Sequence, residues 1–162
     1  MQKFLFVLTV SLICLVPQIL CLKVFGAGCV PNFVLIAVIF LNLYRGMNYS
    51  LGAAFLGGFF LDSFSGSILG VNILTFVLCV FLTGTLKMYI YQPGVAESRV
   101  LIVFVIVLVN GFLQYFINLI AGVDLPFGEA LGRAILPEVI LTTFFANVTF
   151  ERLKDCALKL FA

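Results

Sequence analysis

Long apolar stretches, separated by short polar connections, follow one another along almost the whole chain. About 20 apolar residues in a helix cross the roughly 30 Å hydrocarbon core of a bilayer. The pattern therefore predicts an all-α integral membrane protein. It forms one compact bundle of six transmembrane helices and a short cytoplasmic tail at 151–162, within a single domain over 1–162. The predicted spans are 4–22, 26–44, 46–63, 67–88, 100–121 and 131–150.

Composition supports a membrane protein and excludes several functions. Apolar residues make up 64% of the chain and charged residues 10%, whereas soluble domains contain about 45–50% apolar residues. The net charge of +2 is too small and too dispersed for a nucleic-acid-binding surface. The absence of histidine excludes Ser-His-Asp catalysis and histidine-ligated metals. We therefore expect a non-enzymatic protein in the lipid bilayer, with no nucleic acid, no cofactor and no metal.

Basic residues are distributed unevenly between the two sides of the predicted bundle. With six spans, both termini lie on one side, together with the connections that follow spans two and four. The basic residues on that side are Lys3, Arg45, Lys87, Arg99, Arg152, Lys154 and Lys159. The other side carries only Lys23 and Arg133. Because cytoplasmic loops are enriched in Lys and Arg, we expect both termini in the cytoplasm.

Polar side chains inside two predicted spans follow helical spacing. In span five, Asn110, Gln114 and Asn118 recur every four residues and form one stripe. The weakly polar face of span four consists of Asn72, Thr75, Cys79 and Thr83. Because polar groups are costly in hydrocarbon, the stripe must face protein, and the two faces could meet. The stripe serves either hydrogen bonds between helices or a cavity for a neutral polar ligand.

Small residues recur every four positions in span three. One line contains Ser50, Ala54 and Gly58, and a second contains Ala53 and Gly57. Such stripes let another helix approach closely. The approaching helix belongs either to this chain or to a partner.

Span six contains the pair Pro137-Glu138 near its start. A helix that starts near Gly128 would kink at the proline, whereas one that starts at Leu136 would begin there. Glu138 is then partly immersed in the bilayer. It either pairs with Arg133 at the outer boundary or stays protonated and donates a hydrogen bond within the bundle.

Residues 57–72, GGFFLDSFSGSILGVN, form the corner between spans three and four. Because span three starts after Arg45, Asp62 reaches the extracytoplasmic boundary, where we expect its carboxylate to be hydrated and charged. Asp62 is one candidate cap for span four, and Gly66 and Gly70 permit a tight turn. The natural N-caps for span four are Ser63, Ser65 and Ser67.

These residues resemble the pattern of a known family. They read Arg45, Gly58-x-x-x-Asp62, Gly66, Leu69-Gly70-x-Asn72 and Leu136-Pro137-Glu138. With six predicted spans in 162 residues, this pattern resembles the family of the rod shape-determining protein MreD. The chain departs from the family pattern in its high Phe content and in a tail that mixes acidic and basic residues.

The resemblance implies a non-enzymatic component of the bacterial cell-elongation machinery in the inner membrane. It implies an MreC-like membrane partner and indirect association with RodA, a class B penicillin-binding protein and MreB, which together organise peptidoglycan synthesis and cell shape. The candidate interface or structural residues are then Arg45, Gly58, Asp62, Gly66, Gly70, Asn72, Pro137 and Glu138. We expect Asp62→Leu or Gly58→Leu to weaken partner capture without unfolding the protein.

A second hypothesis is the substrate-binding membrane subunit of a transporter for a small, vitamin-like solute. Such components of energy-coupling factor transporters share the six-span size, and the resemblance implies a similar fold. The stripe of Asn110, Gln114 and Asn118 supports this hypothesis. The AxxxA docking signature that is typical of their first span is missing, since 4–22 contains no alanine. Its absence opposes this hypothesis.

Overall fold

The computed structural model describes residues 2–25, 30–65, 69–91, 95–122 and 126–161. Within these ranges all regular structure is helical, which confirms the predicted helical class. The helices are α1 (Gln2–Phe25), α2 (Phe33–Arg45), α3 (Met47–Ser65), α4 (Val71–Tyr89), α5 (Ala96–Ile120), α6 (Phe127–Ala130) and α7 (Leu136–Phe161), with a π-helical segment at Leu131–Ile135. Of the candidate residues, Gly66 lies outside the described ranges.

Three helical stretches of the described chain are long and apolar enough to cross a membrane. They are Val71–Tyr89, Glu97–Ile120 and Phe127–Phe150. Shorter apolar helical stretches cover Thr9–Cys21 and Phe33–Arg45. Large apolar side chains, among them those of Phe55, Phe81 and Phe144, lie exposed on the outside of the helices. So much exposed apolar surface suits lipid rather than water.

Helix α2 lies at the centre of the fold. Every residue from Val34 to Leu43 is buried, and the helix packs against α1, α3, α4, α5 and α7. A helix that is apolar on all sides is stable only where other elements surround it. The polar exception is Asn42, whose Nδ2 donates to the carbonyl oxygen of Val80 on α4 at 2.8 Å.

The small residues of α3 contact two helices of the same chain. A Cβ atom at Gly57 would collide with Val34 of α2, and one at Gly58 would lie 2.7 Å from the Cα of Ile73 on α4. The backbones of α3 and α4 therefore touch at Gly58, where no side chain fits. This finding corrects the expectation that Gly58→Leu spares the fold, because the larger side chain would force the two helices apart.

The chain passes from α6 to α7 through the π-helical segment just before Pro137. The backbone N–H of Leu136 donates to the carbonyl oxygen of Leu131, five residues earlier. Proline lacks an N–H and its ring clashes with the carbonyl group four residues before it. The wider π turn accommodates Pro137, so the helical path begins at Phe127 and is not capped at Leu136.

Candidate functional site

The Asp62 carboxylate, near the end of α3, holds the start of α4. Its Oδ2 accepts hydrogen bonds from the backbone N–H groups of Gly70 at 2.9 Å and Ile73 at 3.4 Å. Its Oδ1 accepts from the backbone N–H of Asn72 at 3.1 Å and from Asn72 Nδ2 at 2.8 Å. The first N–H groups of a helix lack partners within that helix and carry the positive end of its dipole. Asp62 therefore caps α4 from a different helix.

The observed corner differs from the expected one in burial and in the identity of the cap. Asp62 is only 2% exposed, so its carboxylate is buried rather than hydrated. Ser63 donates its hydroxyl to the backbone of its own helix, while the side chains of Ser65 and Ser67 lie outside the described residues. Gly70 has φ of +100°, a left-handed conformation that suits glycine. Thus Asp62 caps α4, and Gly70 permits the turn into it.

Asp62 also sets the orientation of two amides beyond it. Both of its oxygens accept hydrogen bonds from N–H groups. Asn72 therefore donates through Nδ2, and its Oδ1 accepts from Nε2 of Gln114 on α5 at 2.9 Å. Gln114 donates one N–H to Asn72, and its carbonyl oxygen and second N–H are free to bond elsewhere. This relay connects α3, α4 and α5.

The polar faces of α4 and α5 meet along the relay and beyond it. Asn110 is fully buried, and Cys79 Sγ lies 4.0 Å from its Oδ1. The Nδ2 atom of Asn110 has no hydrogen-bond partner among the described residues. Asn118, at the other end of the stripe, is half-buried and lines a cavity. Gln114 thus bonds to a neighbouring helix, and both Gln114 and Asn118 lie in the wall of the cavity.

A second buried polar cluster joins α1, α2 and α7 around Asn32. The Oδ1 of Asn32 caps α2 by accepting from the backbone N–H three residues later at 3.0 Å. Gln18 of α1 accepts from the backbone N–H of Val34 at 3.0 Å. The backbone N–H of Asn32 donates to Thr142 Oγ1 at 3.0 Å, and its Nδ2 donates to Glu138 Oε1 at 3.2 Å. These bonds tie the start of α2 to α7.

Glu138 faces this cluster rather than the outer boundary. The ion pair with Arg133, one of the two roles considered for it, is wrong: Arg133 Nη1 lies 3.6 Å from Oε2 of Glu129, and both side chains are exposed. A surface pair of this kind contributes about 0–1 kcal/mol. The observed hydrogen bond of Glu138 is the one that it accepts from Asn32.

A cavity of about 100 Å³ joins the two clusters. Its polar lining comes from Gln114 and Asn118 on α5 and from Glu138 on α7, and its apolar lining includes Ala130 and Ala134. A cavity of this volume, with some polar groups in its wall, can hold several water-sized groups. We use the term polar layer for the residues that connect α1 to α5 and α7 through the two clusters and the cavity, namely Gln18, Asn32, Asp62, Asn72, Gln114 and Glu138.

Arg45 lies far from the polar layer. It is the last residue of α2, and the length of α3 separates it from Asp62 by about 25 Å. At this end of the fold, Lys87 Nζ donates to the carbonyl oxygens of Asn42 and Leu43 at 3.1 and 2.7 Å. Lysine at the C-terminus of a helix satisfies carbonyl groups that lack partners within the helix.

Two tyrosines lie beside Arg99 at the same end. Arg99 Nη1 donates to the hydroxyl oxygen of Tyr44 at 3.2 Å. Burial, together with the neighbouring Tyr44, raises the pKa of Tyr91 above its ordinary value, although Arg99 opposes the shift. The hydroxyl of Tyr91 is therefore neutral at physiological pH.

The sequence-based interpretation missed Gln18, Asn32 and Thr142. Asn32 had a readable signal, because an Asn that directly precedes an apolar run is a typical N-cap. The predicted start of span two at residue 26 concealed it, whereas α2 begins at Phe33. Gln18 and Thr142 are single polar residues in apolar runs, and their partners lie 16 and 110 residues away in the chain. Periodicity does not encode such pairs.

Apolar helices with an apolar exterior and an internal polar layer define a helical membrane protein. The chain belongs to the MreD family, because the family model described as rod shape-determining protein MreD matches residues 1–153. No curated protein and no solved structure gives a significant match to the chain. Membership of this family indicates a role in the determination of rod shape, and the family is a structural component that is not known as an enzyme.

Proposed function

We propose that this protein is a non-enzymatic assembly component of the bacterial cell-elongation machinery. In this proposal it crosses the inner membrane six times with both termini in the cytoplasm, binds an MreC-like protein, and through it acts with RodA, a class B penicillin-binding protein and MreB in peptidoglycan synthesis. The family match over residues 1–153 is the observation that carries the proposal. The lopsided distribution of Lys and Arg supports the orientation.

The corner at Asp62 supports partner binding through positioning rather than direct contact. Asp62 is buried and its carboxylate is hydrogen-bonded to the start of α4, so a partner does not reach this carboxylate. Three large apolar side chains within seven residues of Asp62 along the chain are exposed: Phe59 is 48%, Phe64 65% and Leu69 71% exposed. We infer that these three residues, the corner face, contact the membrane helix of the MreC-like partner. The capped α3–α4 corner keeps them in a fixed arrangement.

The test is copurification of the MreC-like partner with tagged protein from native membranes in mild detergent. The double variant Phe59→Ala, Phe64→Ala should recover several-fold less partner, because it removes two exposed rings from the contact. Phe144→Ala is the matched control, since Phe144 on α7 is 66% exposed and lies outside the corner face. Equal recovery by the double variant and the control would reject the corner face as the interface.

A second candidate function is solute binding in a transporter with a fold similar to energy-coupling factor components. The cavity lined by Gln114, Asn118 and Glu138 favours it, because a substrate-binding subunit needs an internal polar site. The same purification distinguishes the two functions. An MreC-like protein and wall synthases in the eluate support assembly, whereas an ATPase module with a bound small solute supports transport.

A further inference from the structure

The cavity between α5 and α7 presents hydrogen-bond acceptors from both sides. On the α5 side, Asp62 orients Asn72, which accepts from Gln114 Nε2, and Gln114 retains a carbonyl oxygen that can accept a hydrogen bond. On the α7 side, Asn32 donates to Oε1 of Glu138. In its ionised form Glu138 only accepts hydrogen bonds, so it then adds acceptor capacity to the same cavity.

The orientation of Asn32 is set as firmly as that of Gln114. Its Oδ1 accepts from the backbone N–H of Leu35 at 3.0 Å, so its nitrogen is the atom that faces Glu138. Gln18 also donates toward the same Oδ1, at 3.5 Å. Glu138, Gln114 and Asn118 can therefore all accept hydrogen bonds from a donor in the cavity.

The cavity lining contains one carboxyl group and no basic residue. Within the described residues, Glu138 accepts a hydrogen bond from a neutral amide, and a carboxylate within the bilayer is costly unless a cation or a proton neutralises it. Tyr115 is also one of the lining residues. The remaining lining includes Ala130, Ala134 and Ile135, which suit a short alkyl segment.

We propose that this cavity binds a primary ammonium group on a short alkyl chain, with its N–H groups donated to Glu138, Gln114 and Asn118. The amine comes either from the headgroup of an aminoethyl phospholipid or from a small free amine. The amide stripe alone predicted a neutral polar ligand. Because the cavity wall also contains the carboxyl group of Glu138, which can pair with a positive charge, a cationic ligand is favoured instead. The proposal goes beyond the assembly role and does not depend on it.

The first experiment measures thermal stabilisation of the purified full-length protein by ethanolamine, ethylene glycol and choline at equal concentrations. Ethanolamine should raise the melting temperature, because a ligand that binds the folded state stabilises it. Ethylene glycol has the same size without charge, and choline has charge without N–H donors. Equal stabilisation by either control compound, or none by ethanolamine, would overturn the proposal.

A second experiment distinguishes the two sources of the amine. The protein is reconstituted in nanodiscs of mixed phosphatidylethanolamine and phosphatidylcholine, and the lipids retained on the protein are identified by native mass spectrometry. Selective retention of phosphatidylethanolamine supports a lipid headgroup, and binding of ethanolamine without such retention supports a free amine. Failure of both probes rejects the site and leaves the copurification test of the corner face unaffected.

Two variants connect the binding to the named residues. Glu138→Gln keeps an oxygen that accepts from Asn32 but removes the charge, and should weaken ethanolamine binding about tenfold or more. Glu129→Gln is the matched control, since its carboxylate is exposed and pairs with Arg133, and should bind as the wild type does. If Glu138→Gln does not fold, Asn118→Ala provides the second test and should also weaken binding. Unchanged affinity in a folded Glu138→Gln or Asn118→Ala protein contradicts the proposal.

Discussion

Asp62 accepts two hydrogen bonds from Asn72, one from the backbone N–H at 3.1 Å and one from the side-chain amide at 2.8 Å. The first bond caps α4, and the second sets the orientation of the amide that continues to Gln114. A single carboxylate thus couples the local start of one helix to contacts among three helices. Its burial makes these bonds important, because a buried charge without partners is costly.

The first prediction concerns the oxygen pair of Asp62. Asp62→Asn replaces one acceptor oxygen with an amide nitrogen that faces N–H donors. We expect the free energy of unfolding to fall by about 1–3 kcal/mol, because at least one buried N–H loses its partner. Thermal unfolding in detergent micelles measures the change. Ser63→Ala, at the exposed neighbouring position, should leave stability nearly unchanged, and an Asp62→Asn protein as stable as this control would contradict the capping role.

The second prediction concerns the close approach of α3 and α4. Gly58→Ala places a Cβ 2.7 Å from the Cα of Ile73, so the helices must separate, at a cost of about 1–3 kcal/mol. Gly84→Ala on α4 is the matched control, because its Cβ would meet nothing within 4 Å. That control should be neutral or gain up to about 1 kcal/mol from helix propensity. The same stability for both variants would show that the helices are not in tight contact.

The third prediction separates the two roles of Asn32. Asn32→Ser keeps a side-chain oxygen that can cap α2 but loses the amide that donates to Glu138, whereas Asn32→Ala loses both. We expect stability to decrease from wild type to Ser to Ala, with a total loss of about 1–3 kcal/mol. Chemical unfolding in micelles gives the order. Equal stability of the Ser and Ala variants would contradict the capping role of Asn32. A Ser variant as stable as the wild type would contradict a stabilising bond between Asn32 and Glu138.

The fourth prediction concerns Lys87 at the opposite end of the fold. Lys87→Met keeps a long side chain but leaves the carbonyl oxygens of Asn42 and Leu43 without this donor. We expect a loss of about 1–2 kcal/mol in the free energy of unfolding. Lys87→Arg retains a donor and a positive charge, and should recover at least half of the loss. No difference between Met and Arg would indicate that the donated hydrogen bonds contribute little.

The sequence by itself determined the helical class and the internal orientation of several side chains. Apolar runs of nearly uniform length leave few alternatives to membrane helices. The spacing of Asn110, Gln114 and Asn118 puts them on one side of α5, and the small residues of α3 mark it for close contact. These conclusions depend only on helix geometry and the cost of polar groups in lipid, which act within one helix at a time.

Only the tertiary structure decided which of these groups meet. Asp62 is buried because α4 covers it, and Glu138 bonds to Asn32 across 106 residues of chain. Neither contact has a periodic signal, since each depends on how separate helices pack. The π segment before Pro137 likewise results from the need to continue a helix through a proline. Local pattern determines which face of a helix is polar, but hydrogen-bond geometry between helices determines which partner satisfies it.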